Sequence, residues 1–483
     1  MPVNLNNINR ALNIPGLLAH LVALDVPFCV WKNLQERTLM VKGSTDIDLH
    51  VPLSYKSQFE QFVADSHGVA VNSNVQSNPG VVHYLFAGYG ASILHLHVYY
   101  VLFTGESHIK DYLLPFSDAI ISTRVPDAEL GFIPSQDIEN LISLIRYYLK
   151  RSTVAGLLLY KREKADYDLQ MARIISDAGL PKNVPVIGRD NAQNLLNSIG
   201  HGGLIGDFII GKRLRFLMYG LRRLSPMGAL VDGYFTLFRH FYNRTFYKER
   251  KILPVMGRFI ALTGPDGAGK TTVLAGLASR FKSKLTVRQV HFGRPPPTFL
   301  TAPLHLLLGI RRRIASGRAL SMAPPAAETS SRTGLLFALR SVALAYDRNR
   351  LAASVLRDLA KGYLVFSDRY PSLEVGRMDS PRLDPTNAPS AFLRLLARIE
   401  HQLYDAIAPV DLLFEFVVSE ETAVSRNQNR EKCYKESDSE ILTRLRTNTG
   451  LRFRASQHVV FHNNGTVEEA IDELFYRIWG ILR

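Results

Sequence analysis

The chain has 483 residues, and at about 150 residues per domain this length predicts about three domains. Apolar residues make up 46% of the sequence, which excludes a collagen-like or compositionally disordered chain. The 58 Lys and Arg outnumber the 43 Asp and Glu, so the formal net charge is +15. This balance favours an anionic partner, such as a nucleotide, a phosphosugar, a nucleic acid or an anionic membrane, or equally a soluble enzyme with basic helices.

The cysteines and the apolar runs predict the cellular compartment of the protein. Cys29 and Cys433 lie in different halves of the chain and form neither a disulfide framework nor a metal-ligand pattern, so we predict a cytoplasmic protein. The N-terminus has no basic segment leading into an apolar one, which predicts no signal peptide. Uninterrupted apolar runs stay below about 18 residues, so we expect no transmembrane helix.

Residues 1–125 form the first predicted domain, an α/β unit. Its β-like runs are PFCVWK (27–32), DIDLHV (46–51) and SILHLHVYYVLF (92–103). Asp46 and Asp48 are two residues apart, so an extended strand places both carboxylates on one face. Such a pair suits metal ions that bind a nucleoside triphosphate, and we predict both residues as Mg²⁺ ligands.

KGSTDIDLHV (42–51) resembles the signature of the nucleotidyltransferase superfamily, an Asp-x-Asp strand after a Gly-Ser turn. The superfamily has a third carboxylate on a later strand, where this chain has ILHLHVYYVL (93–102) with His95 and His97. We expect structural histidines there, although a histidine can also bind metal. A binding or structural role of this domain is favoured over active nucleotidyl transfer.

Residues 126–252 form a predicted helical and basic middle region. SQDIENLISLIRYYLKR (135–151) begins with Ser135 as an N-cap and repeats apolar residues at helical spacing. Farther on, Lys and Arg alternate with Phe216, Tyr219, Tyr234, Phe238, Phe241 and Tyr242. An anionic membrane surface or a nucleic acid suits this pattern, but we favour a helical linker whose aromatic side chains form its core.

Residues 253–483 alternate strands and helices as a parallel α/β sheet does. RFIALTG (258–264) predicts a strand and TTVLAGLASRF (271–281) a helix, and the residues between them fit G-x-x-x-x-G-K-[ST], the P-loop. Backbone N–H groups and the helix N-terminus favour phosphate there. The predicted ATP-binding residues are Gly264, Gly267, Ala268, Gly269, Lys270, Thr271 and Thr272, with Lys270 on the phosphates and Thr271 on Mg²⁺.

A second motif, GYLVFSDRY (362–370), is an apolar strand that ends in Asp368 and Arg369. The carboxyl end of a parallel strand lies beside the P-loop, where ligands bind. We therefore predict that Asp368 contributes to the Mg²⁺ site or orients the acceptor. Arg369 suits a bidentate contact with phosphate.

Residues 257–483 resemble thymidylate kinase, a P-loop nucleoside monophosphate kinase. The similarity runs in order through GPDGAGKTT (264–272), ALAYDRNRLAASVLRDLAKGYLVFSDRY (343–370), APVDLLFEFVVSEETAVSRNQNREK (408–432) and HVVFHNNGTVEEAIDELFYRI (458–478). The resemblance implies that Asp266 touches the acceptor's sugar and that Arg348 and Arg369 hold its phosphate. It also implies that Arg426 and Arg430, in a lid-like stretch, brace the transferring group, unless they lie on a solvated helix face.

Two segments depart from this family where the acceptor would bind. PSLEVGRMDSPRLD (371–384) lacks the family's Ala-Tyr-Gln-Gly stretch, and VHFGRPPP (290–297) replaces its Arg-Glu-Pro. We therefore predict an ATP- and Mg²⁺-dependent phosphotransferase whose small, anionic nucleotide, sugar or related acceptor is not thymidylate.

Two alternatives remain open at this point. One is a bifunctional nucleotidyltransferase and kinase in nucleotide-sugar or surface-polysaccharide metabolism. The other is a non-catalytic ATP-binding regulator. Nucleic acid is the less favoured partner, and a homodimer is compatible with the sequence.

Overall fold

The computed structural model describes residues 12–73, 78–105, 110–153, 171–172, 174–176, 179–199, 203–247, 250–265, 267–304, 306–307, 334–377, 379–422 and 450–483. The chain divides into two compact units, the first up to Lys251 and the second from Ile252 to Leu482. The division into three domains stays a prediction.

The first unit contains a mixed sheet. Its strands are β1 (Cys29–Val30), β2 (Ile47–His50), β3 (Val69–Ser73), β4 (Val81–Gly88) and β5 (Ser92–Tyr99), and they lie in the order β1–β2–β5–β4–β3. Only the β2–β5 pair among them is parallel. Two small ladders follow, β6 (Phe103–Thr104) with β7 (Tyr112–Leu113) and β8 (Val125–Asp127) with β9 (Gly131–Ile133). The two-residue strand β10 (Lys251–Ile252) lies at the boundary of the two units.

The first unit also contains helices. They are α1 (Ile14–Ala23), α2 (Arg37–Val41), α3 (Lys56–Asp65), α4 (Ser117–Thr123), α5 (Gln136–Arg151), α6 (Arg189–Asn197), α7 (Gly203–Leu217) and α8 (Pro226–Tyr242). One core packs α1 and α3 on the sheet, and another joins Trp31 and Tyr99 to residues of α5, α6 and α7. Helix α5 begins after Ser135 as predicted, but that hydroxyl donates to Asp137 instead of capping the helix backbone.

The second unit contains a parallel sheet, as the sequence predicts. Its strands are β11 (Arg258–Thr263), β12 (Val287–Val290), β13 (Leu364–Asp368), β14 (Val410–Val417) and β15 (Ala455–His462), in the order β12–β13–β11–β14–β15. The helices are α9 (Lys270–Lys282), α10 (Leu335–Ala360), α11 (Ala391–Asp405) and α12 (Val467–Ile481).

The topology of this sheet creates a crevice at its carboxyl edge. From the central strand β11 the chain goes first to β12 and β13 on one side and then crosses to β14 and β15 on the other. Such a reversal leaves room for a ligand beside the carboxyl ends of the strands. Buried Val273, Leu277 and Phe281 hold α9 on the sheet, as their spacing predicts, and fix the loop before it.

The aromatic residues of α7, α8 and the turn between them correct the sequence interpretation. We expected them in a core, but their exposed fractions are Phe216 80%, Tyr219 58%, Tyr234 68%, Phe238 53%, Phe241 66% and Tyr242 43%. The favoured interpretation is wrong because small residues, with Gly233 and Thr236 buried, form the inward face of α8. Among the described residues, no helix is long and apolar enough to cross a membrane.

Candidate functional site

The glycine-rich loop (264–269) joins β11 to α9 at the crevice. Gly264 has φ +132°, and a Cβ there would lie 2.4 Å from the Phe416 carbonyl oxygen of β14, so only glycine fits. Gly269 has φ +85° and directly precedes the first turn of α9. The loop therefore presents backbone at the N-terminus of a helix, which is a favourable place for an anion.

Two buried side chains hold this loop in place. Lys270 is only 5% exposed, and its Nζ donates to the Pro265 carbonyl oxygen at 2.7 Å. Asn463, directly after β15, donates from Nδ2 to the Ala268 carbonyl oxygen at 2.7 Å. The ammonium group of Lys270 therefore lies across the loop, and its contact with phosphate stays a prediction.

Thr271 and Asp368 meet at the carboxyl edge of the sheet, 97 residues apart in the chain. The Thr271 hydroxyl donates to Asp368 Oδ2 at 2.8 Å, and Asp368 Oδ1 is buried without a hydrogen-bond partner among the described residues. The Asp368 carbonyl oxygen accepts a hydrogen bond from His291 Nδ1 at 2.7 Å. A buried carboxylate oxygen with no partner calls for a cation or a donor from a ligand.

The residues predicted on the acceptor side, Arg348 and Arg369, come together through a carboxylate that the sequence analysis missed. Asp379 accepts from Arg348 Nη2 at 3.0 Å and from Arg369 Nη1 at 3.3 Å. Arg348 is 1% exposed and also donates to the Phe292 carbonyl oxygen and the Tyr404 hydroxyl. Its contacts are thus within the protein, whereas the Arg369 side chain is 19% exposed.

Arg369 and Asp379 have unusual backbone conformations. Their φ angles are +86° and +58°, in the left-handed region that residues other than glycine rarely adopt. The Arg369 N–H donates to the Leu262 carbonyl oxygen of β11 at 2.9 Å, which ties the end of β13 to the central strand. Strained residues of this kind cluster where a site requires a fixed geometry.

In the first unit, the structure brings Asp46 and Asp48 beside the two histidines of β5. Asp48 pairs with His97 in the parallel register of β2 and β5. His97 Nδ1 lies 3.0 Å from Asp48 Oδ1, and His95 Nδ1 lies 2.5 Å from Asp46 Oδ1. His83 of β4 stacks on His97 with ring centroids 4.2 Å apart.

A lysine that the sequence analysis did not single out completes this cluster. Lys32 Nζ lies 3.1 Å from Asp48 Oδ1, and Asn33 Nδ2 donates to Asp48 Oδ2 at 2.9 Å. Lys32 Nζ and Lys110 Nζ also both donate to the Tyr99 hydroxyl, at 2.7 and 2.6 Å. The signal in the sequence was a lysine two residues after the apolar strand β1, which lies next to β2.

Burial and these contacts shift the pKa values of the cluster. Burial lowers the pKa of Lys32 to about 7 against the opposing effect of Asp48, and burial lowers that of Lys110 to about 8. Burial alone would raise the pKa of Asp48, but the Lys32 ammonium and the His97 contact hold it well below its usual range. Burial lowers the pKa of His97 to about 4, so its ring is neutral at pH 7.

The two units differ in how their aspartates fit a metal ion. Octahedral Mg²⁺ binds oxygen at 2.0–2.1 Å, so two adjacent ligands lie about 3 Å apart, close to the 2.8 Å between Thr271 Oγ1 and Asp368 Oδ2. Asp48 would first have to lose its contacts with Lys32 and His97. Within the described ranges, no group of three or more His, Cys, Asp or Glu side chains could hold a metal ion.

Three predicted site residues, Asp266, Arg426 and Arg430, lie outside the described residues. The other predicted residues of the second unit lie at the carboxyl edge of its sheet or, for Arg348, on α10. The structure adds Asp379 and Asn463 to the residues of the candidate site. Asp379 falls in the segment that departs from thymidylate kinase, which was the signal available in the sequence.

No protein-family model matches the chain. Over 182 residues the chain is 28% identical to the "uncharacterized ATP-binding protein YghS" of Escherichia coli (strain K12). This similarity covers 36% of the present chain and 75% of YghS. The chain is therefore distantly similar to a protein that is named for ATP binding.

Proposed function

We propose that the second unit is an ATP-dependent phosphotransferase that moves the terminal phosphoryl group of ATP to a small acceptor. Thr271 contacts Asp368 at the carboxyl edge of a parallel sheet, and buried Lys270 is next to Thr271 at the N-terminus of α9. This arrangement is the observation that carries the proposal. The distant similarity to an ATP-binding protein supports the donor. The resemblance to thymidylate kinase supports transfer over simple binding.

Each group has a role in this proposal. Backbone N–H groups of the glycine-rich loop and the Lys270 ammonium bind the donor phosphates. These contacts position the reacting atoms. Thr271 and Asp368 would hold Mg²⁺ together with phosphate oxygens, because their oxygen atoms have the spacing of adjacent ligands. When bound, Mg²⁺ neutralises charge that develops on the phosphoryl group.

The acceptor side is organised by Asp379. Asp379 accepts hydrogen bonds from both Arg348 and Arg369. Buried Arg348 therefore acts as a positioning residue, and Arg369 is the cation nearer the crevice. We propose that Arg369 contacts the acceptor. Asp266, Arg426 and Arg430 remain proposed contacts of the acceptor and of the transferring group, on the strength of the family resemblance.

For the first unit we favour a binding or structural role over nucleotidyl transfer. The supporting observation is that Lys32 Nζ and His97 Nδ1 lie 3.1 and 3.0 Å from Asp48 Oδ1, while Asn33 donates to Oδ2. The Lys32 ammonium, present in about half of the molecules at pH 7, offsets the charge that would otherwise attract Mg²⁺.

The test is transfer of labelled γ-phosphate from ATP to a pool of nucleotides, sugars, sugar phosphates and polar metabolites. We expect a labelled product with the wild-type protein and Mg²⁺ and none with Lys270→Ala. Lys282→Ala is the matched control, since Lys282 is an exposed lysine at the other end of α9.

Two results would replace the proposal. Saturable ATP binding that needs Lys270, with no labelled acceptor and no hydrolysis, would favour a regulatory nucleotide-binding protein. Labelled product that survives Lys270→Ala but is lost with Asp46→Asn plus Asp48→Asn would assign the chemistry to the first unit.

A further inference from the structure

Helix α8 in the first unit is amphipathic, but its apolar face is turned to solvent and its small and polar face to the protein. At about 100° per residue, Gly233 and Thr236 fall on the side opposite Met227, Tyr234 and Phe241. Thr236 is 7% exposed and Gly233 is buried, whereas the other three side chains are 72%, 68% and 66% exposed. The small and polar side therefore packs on the protein, and the apolar side faces solvent.

This exposed side is broad. At about 100° per residue, its apolar residues span about 160° of the helix circumference, more than the stripe of about 100° that a core-facing helix uses. Besides the three residues already named, its exposed members are Val231 at 49%, Phe235 at 55%, Leu237 at 37%, Phe238 at 53% and Tyr242 at 43%. A contiguous apolar surface of this kind marks an interaction site.

Positive charge surrounds the apolar side. Residues 203–247 contain two acidic residues, Asp207 and Asp232, which pair with Arg151 and with Arg223 (at 3.8 Å). Of its seven basic residues, Arg222 also pairs with Asp111, and the exposed ones are Lys212, Arg213, Arg239 and Arg244. The exposed charge of the segment is therefore net positive, with two exposed cations on α7 and two at the C-terminal end of α8.

Helix α7 has the same combination of exposed apolar and basic residues. Ile205, Ile209 and Phe216 are 77%, 62% and 80% exposed, and at about 100° per residue they fall on one side of the helix. Lys212 and Arg213 are exposed at the flanks of that side. Two consecutive helices of one unit thus each present an apolar stripe with basic flanks, which is typical of helices that lie in a membrane interface.

We propose that α8 binds an anionic membrane surface, with its aromatic residues at the boundary of headgroups and acyl chains. Arg239 and Arg244 are exposed and would contact lipid phosphates, each cation strengthening the binding about fivefold. Charge selects this occupant over a second copy of the chain. A symmetric contact would bring the same cations of both copies together, whereas anionic lipid neutralises them.

The test is co-sedimentation of the full-length protein with vesicles of phosphatidylserine and phosphatidylcholine in about a one-to-three ratio. Vesicles of phosphatidylcholine alone are the neutral control. We expect binding at least tenfold tighter to the anionic vesicles, with most of this preference lost at about 1 M salt, where charges are screened beyond about 3 Å.

Substitutions separate the apolar and the charge contributions. Phe238→Ser with Phe241→Ser should weaken vesicle binding about tenfold or more, because the inserted rings are lost. Tyr89→Ser is the matched control, since Tyr89 is 63% exposed elsewhere in the first unit, and it should leave binding unchanged. Both Phe residues are already exposed, so the thermal midpoint should stay within about one degree of the wild type.

The charge variant is Arg239→Gln with Arg244→Gln, and it should weaken binding to anionic vesicles about 20-fold. Its matched control is Arg357→Gln, an exposed arginine of the second unit. Equal binding to both kinds of vesicle, or full binding by the Phe238→Ser and Phe241→Ser variant, would overturn the proposal. A dimer that these Phe substitutions dissociate, without vesicle binding, would assign this face to a second copy instead.

Discussion

Asp368 and Asp48 are both strand aspartates of α/β units, but their surroundings differ in one decisive respect. Asp368 Oδ2 accepts one hydrogen bond, from Thr271 at 2.8 Å, and its Oδ1 is buried with no hydrogen-bond partner in the described part of the chain. Asp48 Oδ1 likewise makes no hydrogen bond among the described residues, but Lys32 Nζ lies 3.1 Å and His97 Nδ1 3.0 Å from it, and Asn33 Nδ2 donates to Oδ2 at 2.9 Å. Asp48 therefore has the Lys32 ammonium beside it, whereas we propose that a bound cation takes this place at Asp368.

The difference shows why a motif alone does not define a metal site. Burial of a carboxylate is costly unless a positive charge or several donors compensate it. In the second unit we propose that bound Mg²⁺ and phosphate supply this compensation. In the first unit Lys32 supplies the compensating positive charge, so the strand aspartate is stabilised from within the protein.

The largest effect should come from Lys270→Ala, which removes the cation of the donor site. We expect phosphoryl transfer to fall by about 10²–10³-fold, or about 3–4 kcal/mol of transition-state stabilisation. Steady-state kinetics with the identified acceptor measures the loss. Unchanged turnover in Lys270→Ala, with Lys282→Ala equally active, would remove the second unit from the chemistry.

The next effect concerns the acceptor side. Asp379→Asn leaves the buried Arg348 without its carboxylate, so the second unit should lose about 3 kcal/mol of unfolding free energy. Denaturant unfolding followed by Trp479 fluorescence, in a Trp31→Phe background, isolates this unit. The control is Asp384→Asn, in the same segment. Asp384 is half-buried and, among the described residues, accepts hydrogen bonds only from its own turn, so this change should leave the unfolding free energy nearly unchanged. Equal stability of the two variants would show that Asp379 does not hold Arg348.

A smaller effect is a pH dependence from Lys32. Its pKa is about 7 in the folded protein and 10.5 when unperturbed, so between these values the unfolded state binds more protons. Stability from this residue therefore rises with pH, by about 2 kcal/mol from pH 7 to pH 9. The wild type should show this rise relative to Lys32→Met when Trp31 fluorescence reports unfolding in a Trp479→Phe background. Parallel curves would mean that Lys32 is not buried beside Asp48.

The sequence predicted what local patterns determine. The apolar run of β11, the glycines and Lys270 lie within a few residues of one another, so the strand, loop and helix could be anticipated together. Asp368 was also found, because the end of a buried strand is visible as the end of an apolar run. These features position most of the candidate donor site.

Contacts between distant segments could not be predicted in this way. Asp379 meets Arg348 across 31 residues, and only the folded loops bring them together. The aromatic side of α8 was visible as a periodic pattern, but periodicity does not tell which side meets the protein. The inward side is decided by the neighbours available, and here small residues such as Gly233 pack there.

The most direct test of the central claim is calorimetric titration of ATP, with and without Mg²⁺, into the wild type, Asp368→Asn and Asp48→Asn. Trp31 fluorescence first confirms that the Asp48→Asn protein is folded. We predict that Mg²⁺ strengthens ATP binding in the wild type and in Asp48→Asn, and that Asp368→Asn loses about 10–100-fold of this gain. Full Mg²⁺-dependent binding in Asp368→Asn, with its loss in Asp48→Asn, would contradict the account and place the metal and nucleotide in the first unit.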